Sequence, residues 1–230
     1  MTNNQKTLNK SLEFEGVGLH TGDKVSMTID PAKTNHGIKF QRLDLPGKPV
    51  IPADIDFVSD TKRSTTLEKD NVKVVTVEHL MSALYALGVN NALVKLNSSE
   101  IPILDGSSKY YVEGIQKVGL KTQDAPLKYV NLPNPIQYKD PDTGSEILFI
   151  PADNFIISVV LDYDNPALGT MYAEIRDLED YPTEISTCKT FVFLIELENL
   201  AKANLIKGGG LENAIVVIDR KDTNISEIKK

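Results

Sequence analysis

The run Thr76-Val77-Glu78-His79 sets a carboxylate beside an imidazole, just before the apolar residues Leu80, Met81, Leu84 and Leu87, which recur at helical spacing and end at Gly88. That spacing predicts a helix whose first turn carries both groups, with Thr76 as its natural N-cap. Free N–H groups and the positive end of the helix dipole favour an ionised Glu and a neutral His at this position. Those are the forms that a general base and a metal ligand need. Taken alone, the pair is equally what an ordinary acidic first turn with a half-buried histidine would show.

The elements that must position this pair are short. Leu12-Glu13-Phe14, Val25-Ser26-Met27-Thr28-Ile29 and the residues around Gly16, Gly18 and Gly22 read as antiparallel strands separated by turns. These glycines are not a dinucleotide fingerprint, because β-type residues follow them; a bent strand or bulge fits better. Further strands are expected at 62–68, 72–75 and 91–96, and Asp105-Gly106-Ser107-Ser108 opens a second helix with Tyr111, Val112, Ile115 and Val118 on one face. Residues 121–126 form a polar stretch ending in proline, the best domain boundary in the chain.

Beyond it, strands are expected at 129–130, 136–138, 146–150, 155–161, 190–193 and 214–218, with a short amphipathic helix over 194–204. Ile51-Pro52-Ala53-Asp54 recurs as Ile150-Pro151-Ala152-Asp153, which suggests two similar halves. Gly208-Gly209-Gly210 reads either as backbone that a ligand approaches closely or as a flexible surface turn. The second half has no match for the two long helices of the first.

With 230 residues the chain can bury a substantial core. Its net charge of −7 and the lack of a basic run with interleaved aromatics argue against a nucleic-acid partner. No apolar run has the length of a membrane helix, and the first ten residues lack a secretory core, so a cytoplasmic location is expected. Cys188 is the only cysteine, which excludes an internal disulfide and a cysteine-rich zinc cluster. A cysteine hydrolase built on it would need a positioned imidazole base, and the surrounding sequence offers no activating context.

Gly16-Val17-Gly18-Leu19-His20-Thr21-Gly22, Thr76-Val77-Glu78-His79-Leu80, Glu100-Ile101-Pro102-Ile103-Leu104-Asp105-Gly106-Ser107, Cys188-Lys189-Thr190-Phe191 and Gly209-Gly210 with Asn213-Ala214-Ile215-Val216-Val217 occur in this order. Together they closely resemble the zinc-dependent UDP-3-O-acyl-N-acetylglucosamine deacetylases, which perform the committed step of lipid A synthesis in Gram-negative bacteria. The resemblance runs from about residue 7 to about residue 219. It implies an α+β fold of two similar domains, each a mainly antiparallel sheet with helices packed toward the domain interface, the second domain here being incomplete. Residues 1–126 would form the first domain and 127–230 the second, with an acyl-chain passage inserted at about 193–217.

By the same resemblance His79 matches a Zn2+ ligand, Glu78 the general base that takes a proton from the attacking water, and Thr190 a hydroxyl donor to the oxyanion. Phe191 matches an aromatic lining the sugar-nucleotide side of the cleft, Ser64 a position near the nucleotide, and His20 a residue close to the substrate. The family draws its other zinc ligands from a His-x-x-x-Asp pair on a later helix, with a further histidine that protonates the leaving amine. The only histidines here are His20, His36 and His79, so those ligands are expected beyond Lys230 and the chain as given is expected to be inactive. The full-length enzyme is expected to be a monomer and this chain by itself to associate through uncovered sheet surface. Two alternatives stand beside the deacetylase: a non-catalytic module binding a nucleotide sugar or acyl chain, and the deacetylase part of a fusion with a 3-hydroxyacyl-carrier-protein dehydratase.

Overall fold

The computed structural model describes residues 4–163, 165, 168–202 and 207–218. In the first half, strands β1 (Asn4–Leu8), β2 (Leu12–Val17), β3 (Lys24–Pro31), β4 (Ile38–Arg42), β5 (Val50–Pro52), β6 (Val58–Asp60), β7 (Thr66–Lys69) and β8 (Val72–Val74) precede helix α1 (Glu78–Ala86). Strand β9 (Ala92–Leu96), helix α2 (Lys109–Val118) and strand β10 (Leu120–Pro126) follow. A five-stranded sheet in the order β2-β3-β9-β4-β5 is antiparallel except where β4 and β9 run parallel. Period-two alternation sends Val25, Met27 and Ile29 of β3, and Ala92, Val94 and Leu96 of β9, into the core.

Both helices bury one stripe: Leu80, Ala83 and Leu84 from α1, and Tyr111, Val112 and Ile115 from α2. Each fully buried Leu or Ile contributes about 1.5–3 kcal/mol through removal from water. Tyr111 is wholly buried; its ring meets Phe14 edge-on at 4.9 Å and its hydroxyl donates to the Pro102 carbonyl. Helix α1 ends where Gly88 adopts φ +73°, a conformation that costs glycine little.

The polar stretch at 121–126 is itself a strand. It lies in β10, which pairs antiparallel with β1 from Leu8↔Leu120 to Asn4↔Pro126. Its Gln123 accepts a hydrogen bond from the buried Asn91 amide (2.7 Å) and donates one to the Ala32 carbonyl (2.8 Å). Polarity here marks a sheet edge whose side chains knit the chain start to the core.

The second half consists of hairpins and short pieces. Strands β11 (Ile136–Lys139) and β12 (Glu146–Phe149) form one antiparallel pair, and β13 (Ile157–Asp162) and β14 (Thr170–Ile175) another. Helix α3 (Tyr181–Glu184), strand β15 (Phe191–Phe193), helix α4 (Leu194–Lys202) and strand β16 (Ile215–Val217) complete it, with β15 and β16 parallel. Residues 129–130 carry no strand, and 62–65 form a bend ahead of β7. Each copy of the Ile-Pro-Ala-Asp repeat comes at or just after the return strand of an antiparallel pair, β4 with β5 and β11 with β12. The architecture is α+β. Among the described residues no helix is long and apolar enough to cross a membrane. The polar tail after Asp219 and the last residues of the expected 194–204 helix lie outside the described residues.

Candidate active site

Helix α1 does not start as its sequence suggests. Val77 occupies the N-cap position with helical angles and no side-chain cap, while Thr76 sits in the left-handed region at φ +64°. Its hydroxyl donates to Glu100 Oε1 at 2.8 Å instead of capping the helix. As a donor this hydroxyl serves a buried carboxylate, a charged acceptor that makes a strong hydrogen bond, and the left-handed backbone leaves it outside the capping position. For a β-branched residue the left-handed conformation costs about 1–3 kcal/mol, so neighbouring contacts must hold it in place.

On the first turn, Glu78 Oε2 accepts from the Thr65 N–H at 2.9 Å, which fixes the carboxylate against the 62–65 bend. His79 is half-buried, and burial pushes its imidazole below the ordinary value of 6.5; the nearby carboxylates of Glu78 and Asp105 act in the opposite sense without overcoming it. A neutral ring at pH 7 results. The His79 carbonyl accepts from Ser82 Oγ (2.9 Å) and Ser108 Oγ (2.8 Å), and Ser82 Oγ in turn accepts from the Tyr181 hydroxyl at 2.7 Å. Tyr181 thereby ties the second half to the helix that carries the pair.

Glu100 has 0% exposure, and sequence reading assigned it no role. Beyond Thr76 it accepts from the N–H of His20 (3.1 Å to either oxygen) and from the N–H (2.9 Å) and hydroxyl (3.0 Å) of Thr21. The turn at 18–22 is thus built around it, closed by Gly22 N–H donating to the Gly18 carbonyl at 3.0 Å. Asp105, also unassigned from the sequence, accepts from the Ser107 hydroxyl at 2.7 Å and stands close enough to His79 to influence its charge. The signal that would have found both is their place in the Glu100-to-Ser107 motif, where they are the two carboxylates flanking the apolar run 101–104 between β9 and α2.

A cavity of about 340 Å3 is lined by His20, Arg63, Thr190, Phe191, Leu197 and Gly209, among others. His20 Nε2 is buried and, among the described residues, without a hydrogen-bond partner, the kind of atom that a ligand would satisfy. Thr190 is held by its backbone: its N–H donates to the Gly106 carbonyl (2.8 Å) and its carbonyl accepts from Ile215 (2.9 Å). Gly106 is required there, since its φ is +81° and a Cβ would lie 1.7 Å from the Asn213 carbonyl oxygen. Phe191 packs edge-on to Tyr163 (5.4 Å) and Phe193 (5.7 Å). Arg63 reaches Glu196 of α4 with both terminal nitrogens, at 3.1 and 2.9 Å, so the first half and the α4 segment meet beside the cavity.

The glycine run is docked rather than loose. Gly208 N–H donates to the Leu19 carbonyl at 3.0 Å, and a Cβ on Gly208 would meet the Gly18 oxygen at 2.1 Å. Buried Asn213 fastens it further, accepting from Gly210 N–H and donating to the Gly208 carbonyl, both at 2.9 Å. A second, open hollow of about 420 Å3, lined by Phe14, Tyr110 and Lys117 among others, holds none of the candidate residues.

His20, Thr190 and Phe191 therefore gather round one cavity. Glu78, His79 and Ser64 are not among its lining residues; they connect to it through Thr76, Glu100 and His20, and through the bend that carries Arg63, half-buried Ser64 and Thr65. A neutral, half-buried His79 suits one metal ligand, yet among the described residues no three His, Cys, Asp or Glu side chains cluster as a metal site would need. The described donors thus form at most part of a set. Cys188 is exposed and its thiol faces the Glu184 carbonyl at 3.5 Å, which gives no nucleophile–base pair.

An acid–imidazole pair at a helix entrance, joined through buried polar contacts to a largely apolar cavity, defines a candidate ligand-binding and hydrolytic centre in an α+β chain. Residues 5–229 match the family described as LpxC: UDP-3-O-acyl N-acetylglycosamine deacetylase, and the chain belongs to that family. It is 46% identical over 217 residues to the "Bifunctional enzyme LpxC/FabZ" of Bacteroides thetaiotaomicron, covering 94% of this chain and 47% of that protein. The protein of the same name from Porphyromonas gingivalis is 42% identical over 215 residues, 94% of this chain and 46% of its own. The "UDP-3-O-acyl-N-acetylglucosamine deacetylase" of Pseudomonas entomophila is 43% identical over 216 residues, 93% of this chain and 71% of its own. The chain spans about half the length of the bifunctional relatives it matches.

Proposed function

We propose that this chain supplies the general base, one metal ligand and the acyl-sugar cavity of a zinc-dependent deacetylase. The reaction is hydrolysis of the N-acetyl group of UDP-3-O-acyl-N-acetylglucosamine to acetate and the free amine, the committed step of lipid A synthesis, in the cytoplasm. The observation that carries the reading is the neutral His79 imidazole beside a Glu78 carboxylate that Thr65 holds in place, in a chain of this family. Glu78 takes a proton from the attacking water as its oxygen bonds to the acetamide carbon, and the C–N bond breaks with the proton passing to the amine. Thr190, its backbone fixed by Gly106 and Ile215, offers its hydroxyl to the oxygen that gains charge. The apolar walls at Phe191, Leu197, Leu200 and Val216 suit the acyl chain, and the buried His20 Nε2 suits a polar group of the sugar.

A zinc ion held in part by His79 would polarise the carbonyl and acidify water, and it needs ligands other than the described residues. The test is acetate release from the UDP-linked substrate by the product of the complete reading frame, with and without Glu78→Gln. Equal rates in the two would remove Glu78 from the mechanism.

A second reading is favoured by the lack, among the described residues, of a metal-holding cluster around His79: a module that binds the nucleotide sugar or acyl chain without cleaving it. Metal content discriminates the two. About one zinc per chain, lost together with activity on chelation, supports the hydrolase; tight substrate binding with no metal supports the binder. The bifunctional relatives favour one further possibility, a parent protein that also carries the dehydratase activity, and the sequence of the complete reading frame answers it.

A further inference from the structure

We infer that Glu100 is a positioning residue of the proposed site, a buried carboxylate that locks the His20 turn and the entry of α1 into one rigid unit. The inference rests on the deacetylase reading for its kinetic consequence and on the geometry for its structural one. The two oxygens of Glu100 collect N–H and O–H donors from two segments distant in sequence, Thr76 on one side and His20 with Thr21 on the other. Among the described residues no cation lies within salt-bridge distance of it, so these neutral donors are what stabilises a carboxylate with 0% exposure.

Each donor sits where chemistry is proposed. Thr76 is two residues before Glu78 and holds the left-handed angle from which α1 departs. His20 lines the cavity with its buried Nε2, and the carbonyls of Leu19 and His20 accept from Gly208 (3.0 Å) and Lys207 (3.3 Å) of the glycine segment. One side chain thereby sets the base and metal-ligand helix, the cavity histidine and the docked glycine run relative to each other. The absence of a side chain at Gly18 belongs to the same device: a Cβ there would lie 2.5 Å from Glu100 Oε2 and 2.3 Å from Thr21 Oγ1.

The backbone of Glu100 is secured separately. It bridges in parallel to Val75, with Val75 N–H donating to the Ser99 carbonyl (2.8 Å) and Ile101 N–H to the Val75 carbonyl (3.3 Å). A side-chain substitution can therefore loosen the lock while the strands stay paired. In Glu100→Gln the amide oxygen replaces one acceptor, and the NH2 group meets donors. The Thr76 and Thr21 hydroxyls can rotate to accept from it, but the His20 and Thr21 N–H groups cannot.

The experiment uses the product of the complete reading frame. For Glu100→Gln we expect kcat for acetate release to fall about tenfold or more while KM moves less than about threefold, since the loss is of geometry in the reacting state. We also expect faster amide hydrogen exchange at His20, Thr21 and the first turn of α1, with β3 and β9 protected as before. Adding Thr76→Gly to Glu100→Gln should recover part of kcat, because glycine adopts the left-handed angle without a clamp. Unchanged kcat and exchange in folded Glu100→Gln would overturn the inference, and so would uniform loss of protection or a glycine substitution that rescues nothing. If the wild-type protein releases no acetate, the deacetylase reading fails, and the exchange pattern alone decides whether Glu100 locks the two segments.

Discussion

Strands β3 and β9 bury every second side chain, Val25, Ile29, Val94 and Leu96 among them, whereas all six residues of the equally apolar β13 are exposed. The same contrast extends to β11 and β12, where Ile150 just past the strand reaches 63% exposure, as does Val160 of β13 at 66%. The difference teaches that apolar composition fits a strand for burial but a second layer has to supply it. In the first half, α1 and α2 cover a five-stranded sheet. In the second, the hairpin of β13 and β14 reaches the core chiefly at its ends, through partly buried Ile175 and the tilted contact of Phe155 with Tyr85 of α1 at 5.2 Å. The proposed chemistry is divided the same way: Glu78 and His79 stand on the well-packed half, Thr190 and Phe191 on the other.

The comparison is broken most sharply through turnover. Glu78→Gln should lower acetate release by about 10²–10⁴-fold, the usual worth of a positioned base, and Thr190→Ala by about 10²–10³, the usual worth of one oxyanion donor. Parallel urea melts should show both variants folded; a larger loss for Thr190 would place the main catalytic weight on the second half. Next in size is packing. Leu84→Ala, 1% exposed in the core, should cost about 2–5 kcal/mol by chemical denaturation. Leu148→Ala, 56% exposed, should stay within about 0.5 kcal/mol. A large penalty at Leu148 would mean that the second half is covered in solution, and sedimentation of the chain at rising concentration would then detect the association expected from its exposed strands.

Acidity probes the first half alone. Because burial holds the His79 imidazole below 6.5, the unfolded chain takes up that proton first, so this contribution to stability is complete above 6.5 and declines as the pH falls toward the folded-state value. His79→Gln should therefore flatten part of the fall in denaturation midpoint between about pH 7 and pH 5, where histidines titrate. An unchanged slope would mean that the ring is solvated. The smallest effect belongs to the contact between the halves. Arg63 and Glu196 keep 45% and 36% side-chain exposure, so despite two hydrogen bonds a double-mutant cycle should return at most about 1 kcal/mol, less in high salt.

Helix α2, the strands around β3 and β9, and the position of Glu78 and His79 on a first turn were legible because each follows from local periodicity. Thr76 does not cap α1 as its sequence suggests, because the deciding partner, Glu100, lies far along the chain. The strand at 120–126 was likewise hidden, because its partners, β1 and Asn91, are distant in sequence. The glycine run reads from sequence as backbone for a ligand or as a flexible turn; the approach of Gly208 to Gly18 sets aside the loose turn, and the close neighbour it shows is the chain's own backbone.

By itself, then, the sequence determined the two long helices and the central strands of the first half, which residue types could act as base, ligand and hydroxyl donor, and, through its ordered motifs, the family. Tertiary structure alone decided that His20, Thr190 and Phe191 share a cavity, that Glu100 is a buried node, and that apolar β13 faces outward. Local preferences depend on neighbours within a turn or two, whereas burial, a hydroxyl's choice of acceptor and the neutral state of His79 depend on segments that only folding brings together.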